Sequence, residues 1–404
     1  MGLNARRSTL LRGHCPVVVA TFIAASASLF SSFGLTADAS ATVNWPEWGF
    51  NAQHTGNNVH ETVLTRANAG RLVRLFATPV RALPDPIVAN GVVYLSDNTS
   101  GTVQAINAAT GTVEWSRGSC HTGEETSDPA FAAGAVWVGL DDPGIAAISG
   151  SGTKVKCIGA RDLFLSPPTV QGGTVYAGGQ SGVVVAIEAA TGTLRWSHTL
   201  KGYQSLSSPA VSLDGSAVYV SAGAYVDKLD GATGALVWSR YVDTCGESAV
   251  AISGPRLFVG GCNLYAMSAD SGTVLWSSTR LGPNVMTPTV AGDSVIAGAP
   301  LSSNFDAVAA FDARTGRRLW TSTAVPAASP TIANGVVYVN EDNFEILMLN
   351  SSTGATIGSV SPGPTSLTGS VLAVDGRVYF ESVNAKGTGG ELYAYGPPAS
   401  ASAG

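Results

Sequence analysis

Charge is scarce in this chain. Only 12% of its 404 residues are Asp, Glu, Lys or Arg. No cluster of Lys or Arg is present beyond the N-terminus, which argues against nucleic acid or an anionic membrane surface as partner. Beyond the first forty residues no apolar run is long enough to cross a bilayer. Strict helical periodicity is absent from the same region, so a helical bundle is excluded. There is no Gly-x-Ser-x-Gly elbow and no phosphate loop, leaving nucleophilic hydrolysis without support. Histidine is rare: past the N-terminus there are only His54, His60, His121 and His198, no two at a metal-ligand spacing. Cysteine is limited to five, and their spacing does not resemble a zinc site.

The N-terminus reads as an export signal, assigned to residues 1–41. Arg6, Arg7 and Arg12 precede a short, broken apolar stretch from Pro16 to Phe30. Small residues then offer cleavage after Ala39 or Ala41. The Arg6-Arg7 pair hints at twin-arginine export, but an ordinary secretory signal is the simpler reading. Cys15 lies ahead of the apolar core, which reads against a lipoprotein anchor. Removing residues 1–39 leaves 19 basic against 27 acidic residues, a net charge of −8. The four remaining cysteines, Cys120, Cys157, Cys245 and Cys262, read as two disulfides of an exported protein.

What the chain does have is internal repetition. Val103-Gln104-Ala105-Ile106 runs through Thr110-Gly111 to Trp115, and the phrase returns to end at Trp196, Trp238, Trp276 and Trp320. A degenerate copy runs from Ala147 to Cys157, with Cys in place of Trp. Upstream, Asp85-Pro86 leads through Asn90-Gly91 to Val92-Val93-Tyr94, and Ser329-Pro330 leads through Asn334-Gly335 to Val336-Val337-Tyr338. There are eight such units, at periods of roughly 38–46 residues. Each reads as four strands joined by hairpin turns, the signature of a propeller blade. The fold expected is all-β: an eight-bladed propeller over residues 71–396, preceded by a leader at 42–70 and followed by a disordered tail at 397–404. The eighth unit lacks a fourth strand. Leu72 to Phe76 has the right character to supply it and close the ring. Trp115, Trp196, Trp238, Trp276 and Trp320 are assigned to the seams between blades, each over a neighbour's Thr-Gly turn.

The phrase Ala-Ile-x-Ala-x-Thr-Gly-x-x-x-Trp resembles the tryptophan-docking motif of pyrroloquinoline quinone (PQQ) enzymes. The leader, Trp45-Pro46-Glu47-Trp48-Gly49 with His54-Thr55-Gly56, is similar to the start of that family. The resemblance covers roughly residues 44–396. It implies one of two lives: a PQQ-dependent dehydrogenase, or a non-enzymatic propeller such as the scaffold lipoprotein of the outer-membrane barrel-assembly machinery. The enzymes hold PQQ over the ring axis with Ca²⁺ or a lanthanide beside a catalytic Asp, and many carry a disulfide between adjacent cysteines. This sequence has no adjacent cysteine pair and lacks the long insertions of the quinone chamber. PQQ and Ca²⁺ are therefore not firmly implied.

In a propeller, the loops entering the inner strands and those joining second to third strands share one face. Acids gather there: Glu124, Glu125 and Asp128 with His121 in one loop, Glu247 in another, Glu341 and Asp342 in a third, and Glu381 in a fourth. They form a candidate mouth for a hard cation or a basic partner, set against the plainer reading of solvated loop acids. Asp85 and Asp128, each before a proline, are expected to form Asx turns. Cys245 and Cys262 map to this same face and are paired, which leaves Cys120 with Cys157; the other connectivities stay open. The preferred function is an exported, non-catalytic, monomeric propeller, secreted, periplasmic or envelope-associated, that binds a protein or cell-envelope polymer. The alternatives are a PQQ- and Ca²⁺-dependent dehydrogenase and a polysaccharide-acting enzyme. For the last, Tyr203, Arg161 and Lys201 are the nearest candidates.

Overall fold

The computed structural model describes residues 44–81, 84–97, 99–120, 125–141, 144–160, 162–164, 166–201, 206–244, 248–299, 307–363, 365–384 and 389–398. They form eight blades of four antiparallel strands, seven of them built from successive chain, with a short 3₁₀ turn at Ala69–Arg71 and a two-residue strand, Asn57–Asn58, added parallel to the inner strand of blade 7. Blade 1 shows the plan: Ile87–Ala89, Val92–Asp97, Thr102–Asn107 and Val113–Gly118 lie in that order from the axis outward. The first hairpin turns on Asn90 and Gly91 with φ of +54° and +78°, and Asn334-Gly335 in blade 7 does the same at +45° and +76°. These are the two left-handed positions a type I′ turn requires.

Burial follows the pattern the residues dictate. The two middle strands of each blade are Val-, Ala- and Ile-rich and almost wholly buried, because both of their faces meet a neighbouring blade. The outermost strands alternate with exposed positions, as in Val113–Gly118.

Blade 8 closes the ring. Its own strands are Ser366–Val374, Arg377–Val383 and Gly390–Gly396, and the fourth is Val73–Val80 from the start of the chain. The strand foreseen at Leu72 to Phe76 is therefore present and longer. Joining chain start to chain end removes the two edges that would otherwise lie exposed.

The seams are built from the repeated motif. The indole N–H of Trp115 donates to Gly150 O at 3.0 Å, Trp196 to Gly231 O at 3.0 Å, Trp238 to Asp270 O at 2.8 Å, Trp276 to Ala313 O at 3.1 Å and Trp320 to Ser351 O at 2.8 Å. Each ring lies against the next blade's turn glycine. A Cβ on Gly234 would stand 2.4 Å from Trp196, so only glycine lets the turn approach this closely.

Three seams depart from the motif. In blade 2 the residue paired opposite Ala147 is Lys156, not Cys157. The other copies carry a one-residue bulge before the Trp, as between Ala105 and Ile106; blade 2 has none, so its register moves by one. Lys156 takes the indole's place over Gly192 and donates to Thr191 O. Cys157, thrown to the opposite face, bonds to Cys120, with Cα atoms 5.6 Å apart. In blade 7 the position is Gly358, and Gly70 of the 3₁₀ turn packs onto it. At the closing seam, Phe76 lies over Gly111, while Thr78 Oγ1 donates to Gly111 O at 2.7 Å.

Candidate functional site

The leader occupies the axis. The innermost strands of a propeller present unpaired N–H and C=O groups toward the centre, and these need partners. Residues 45–58 supply them blade by blade. Trp45 exchanges two backbone bonds with Val88 of blade 1, at 2.7 and 2.9 Å. Pro46 O accepts from Phe131 N of blade 2, and the Glu47 carboxyl group accepts from Val170 N of blade 3. Ala52, Gln53, Thr55 and Gly56 carbonyls then take Val211, Ile252, Val290 and Ile332 N–H of blades 4 to 7, at 2.6–2.8 Å. Asn58 Nδ2 finishes the circuit on Ala373 O of blade 8 at 2.9 Å. His54 is buried among them, its Nε2 at 3.0 Å from Thr169 Oγ1 and 3.4 Å from Ser208 Oγ. Burial pushes Glu47 up to about 8 and His54 down to about 3, so both are neutral near pH 7. His54 belongs to the leader, and the Trp-Pro-Glu-Trp-Gly run ahead of it is the signal in the sequence that this segment is buried.

Above the leader lies a funnel of about 640 Å³, walled by Thr244, Ser248, Gly261, Ala327, Ser329 and Ser370, with Trp48 and Asp85 also lining it. Beside it three carboxyl groups converge. Asp85 Oδ1 accepts from Ser370 N at 2.8 Å, and Asp85 N donates to Asp128 Oδ1 at 2.9 Å. The third is Glu381, on the second strand of blade 8 and 2% exposed. Burial raises all three pKa values, most strongly at Asp128 and Glu381, where the neighbouring carboxylates add to the rise. The expectation of local Asx turns at Asp85 and Asp128 is thus corrected. Their side chains reach across blade boundaries, Asp128 to the backbone of blade 1 and Asp85 to that of blade 8.

Glu381 stands out by position. The equivalent residue of the other blades either donates to the carbonyl of the next blade's entry or is glycine. Ser96 Oγ donates to Ser127 O at 2.7 Å, Ser221 Oγ to Ser248 O, and Asn340 Nδ2 to Gly369 O at 2.8 Å. At Gly139, Gly178, Gly260 and Gly298 the next blade comes too close for a Cβ. Glu381 alone puts a carboxyl there, and neither oxygen has a hydrogen-bond partner among the described residues.

Of the other residues singled out from sequence, His121, Glu124 and Glu247 lie outside the described residues. Glu125 is exposed on the rim. Glu341 fastens the entry to blade 7, accepting from Val325 N at 3.2 Å and from Asn343 Nδ2 at 3.2 Å, and Asp342 beside it is exposed. The structure therefore joins Asp128 to Asp85 and Glu381, and leaves Glu341 and Asp342 as loop acids. Cys262 is in a disulfide, while its expected partner Cys245 lies outside the described residues. So do Tyr203 and Arg161, and Lys201 is exposed.

A sequence profile described as outer membrane protein assembly factor BamB matches residues 53–222, 149–256 and 222–397. The chain belongs to this PQQ-like repeat family. BamB of Yersinia pestis is 28% identical over 241 residues, which are 54% of this chain and 60% of the relative. The chain spans about half the length of two further BamB relatives, 52% and 50%. Among solved structures, BamB from Moraxella catarrhalis superposes with a TM-score of 0.63 at 16% identity, covering 80% of this chain and 99% of that one. Quinohemoprotein alcohol dehydrogenase ADHIIG from Pseudomonas putida HK5 gives 0.67 at 14% identity, covering 88% and 80%. These likenesses establish the fold. Among the described residues no three His, Cys, Asp or Glu are grouped to hold a metal ion.

Proposed function

We propose that this protein is an exported, non-catalytic propeller that binds a protein partner of the cell envelope through its funnel face. The observation that carries this reading is family membership across nearly the whole propeller, in a family named for an assembly factor. The axis supports it: a buried leader fills the channel, and the mouth above is lined by neutral side chains, most of them small but with Asn284, Val285 and Met286 among them, around one aromatic and one acid. A protein loop of modest width suits such a recess.

The test has two arms. Mature protein is titrated with PQQ and CaCl₂, followed by tryptophan fluorescence and a dye-linked assay over alcohols and sugars. Cross-linking in envelopes of the source cell is run in parallel, comparing wild type with a variant whose funnel is blocked by Ser329→Trp. The reading expects no substrate-dependent dye reduction, and a cross-linked partner lost on blocking the funnel. Saturable quinone binding with turnover would overturn it and make the chain a compact dehydrogenase.

A further inference from the structure

The carboxyl group of Glu381 poses a question that the fold does not answer. It is 98% removed from solvent by relative area and has two acceptor oxygens without partners. Asn340 Oδ1, also buried, and Thr368 Oγ1, paired across the strand from Glu381, are likewise without partners among the described residues. These acceptors surround Gly369. Its carbonyl takes the Asn340 amide, and its Cα lies so near Asp85 Oδ1 that a Cβ there would stand 1.9 Å away. Asp85 and Asp128 complete the group and are half-buried, with Asp85 open to the funnel.

The inventory is one-sided. It holds three carboxyl groups, an amide oxygen and a hydroxyl, but no Lys or Arg among the described residues lining the funnel. The influences on the three carboxyls are burial, one another and neutral donors. Like charges brought together in a recess without a counter-charge favour an incoming cation. The described residues are not grouped tightly enough to coordinate a metal ion. A guanidinium or ammonium group needs less convergence. Its N–H groups reach outward to acceptors at 2.7–2.9 Å, and guanidinium presents a planar fork of five donors. The Trp48 indole lies in the same wall beside Asp85 and is a neutral donor to its carboxyl, favouring the ionised form.

We propose that Asp85, Asp128 and Glu381, with Trp48, form a receptor for one basic side chain, of the arginine type, that a partner protein inserts through the funnel. This rests on the reading of the funnel face as a protein-binding surface and adds the chemistry by which it selects.

The probe is tetra-arginine amide, titrated into mature protein by calorimetry, with tetra-citrulline amide as its uncharged counterpart. The expected result is one site, with arginine at least tenfold tighter than citrulline. Asp85→Asn, which keeps an acceptor for Ser370 N, should weaken arginine binding at least tenfold. Asp214→Asn, the same charge change on an exposed loop, should leave it within twofold. Glu381→Gln serves as a second variant, since its amide can donate as Asn340 does; it too should weaken arginine binding with an unchanged thermal melt. Equal affinity for arginine and citrulline, or equal losses in Asp85→Asn and Asp214→Asn, would overturn the proposal. So would competition by CaCl₂ at equal ionic strength, which would make this a metal site. An envelope partner that is captured through the funnel yet binds Asp85→Asn normally would preserve the function and refute the receptor.

Discussion

The seams between blades carry a prediction that separates two physical costs. Gly234 and Gly254 both adopt left-handed backbone, at φ of +72° and +53°. An added Cβ meets nothing within 4 Å at Gly254, but at Gly234 it stands 2.4 Å from Trp196 Cε3. Gly254→Ala should then carry only the backbone cost of a left-handed non-glycine residue, about 1–2 kcal/mol. Gly234→Ala carries the same cost plus overpacking against a buried indole, about 1–3 kcal/mol more. The assay is equilibrium guanidinium unfolding of mature protein, read by far-UV circular dichroism and tryptophan fluorescence, with the midpoint interpreted only where the slope is unchanged. Replacing Trp196 with Phe should relieve part of the excess at Gly234 and none at Gly254, a non-additivity confined to residues in contact. Equal losses in the two alanine variants would refute the reasoning, since the indole would then not be pressed against its neighbour's turn.

Other outcomes follow from the same geometry. The Cys120–Cys157 bond closes a loop across blades 1 and 2 with a sequence separation of 37, so the double Ser variant should lose about 4 kcal/mol on the chain-entropy estimate, measured by unfolding with and without reductant. Phe76→Ala, at the closing seam, should cost about 2–4 kcal/mol and lower the midpoint for loss of blade 8 structure in hydrogen exchange. Glu47 is held protonated in the fold up to about pH 8 but ionises near 4.5 when unfolded. Its contribution is therefore full below pH 4.5 and lost as pH rises to 8, with a slope of at most about 1.4 kcal/mol per pH unit. His54 acts in reverse, its contribution present above pH 6.5 and lost as pH falls toward 3. Between pH 6.5 and 8 only the Glu47 effect of these two remains, so Glu47→Gln should flatten the decline of stability across that window; an unchanged slope would place the proton elsewhere.

The blades were legible because each one is a local event. Four short strands, a hairpin turn and a Trp follow one another within some forty residues, so repetition alone gives their number and order. Ring closure was legible too, since a last unit short of one strand needs an unpaired strand elsewhere, and the segment before the first unit was the remaining one of strand character. The Cys120–Cys157 pair sat on the right pair of blades for the same reason. Even so, the alignment of Cys157 with the tryptophans failed by one residue, because a missing bulge changes pairing register while leaving the strand pattern in sequence intact.

What tertiary structure alone decided lies on the axis and at the seam where the ring meets itself. The leader shows no strand periodicity, because its polar groups answer eight different inner strands in turn and none of those lies near it in sequence. Asp85 and Asp128 are separated from Glu381 by some 250 to 300 residues. They meet only because closing the circle sets blade 8 beside blade 1. From sequence, a carboxylate before a proline looks like a turn former, and Glu381 looks like one more acid of the loop face. That these acids share one recess, without a basic neighbour among the described residues, is a property of the closed ring.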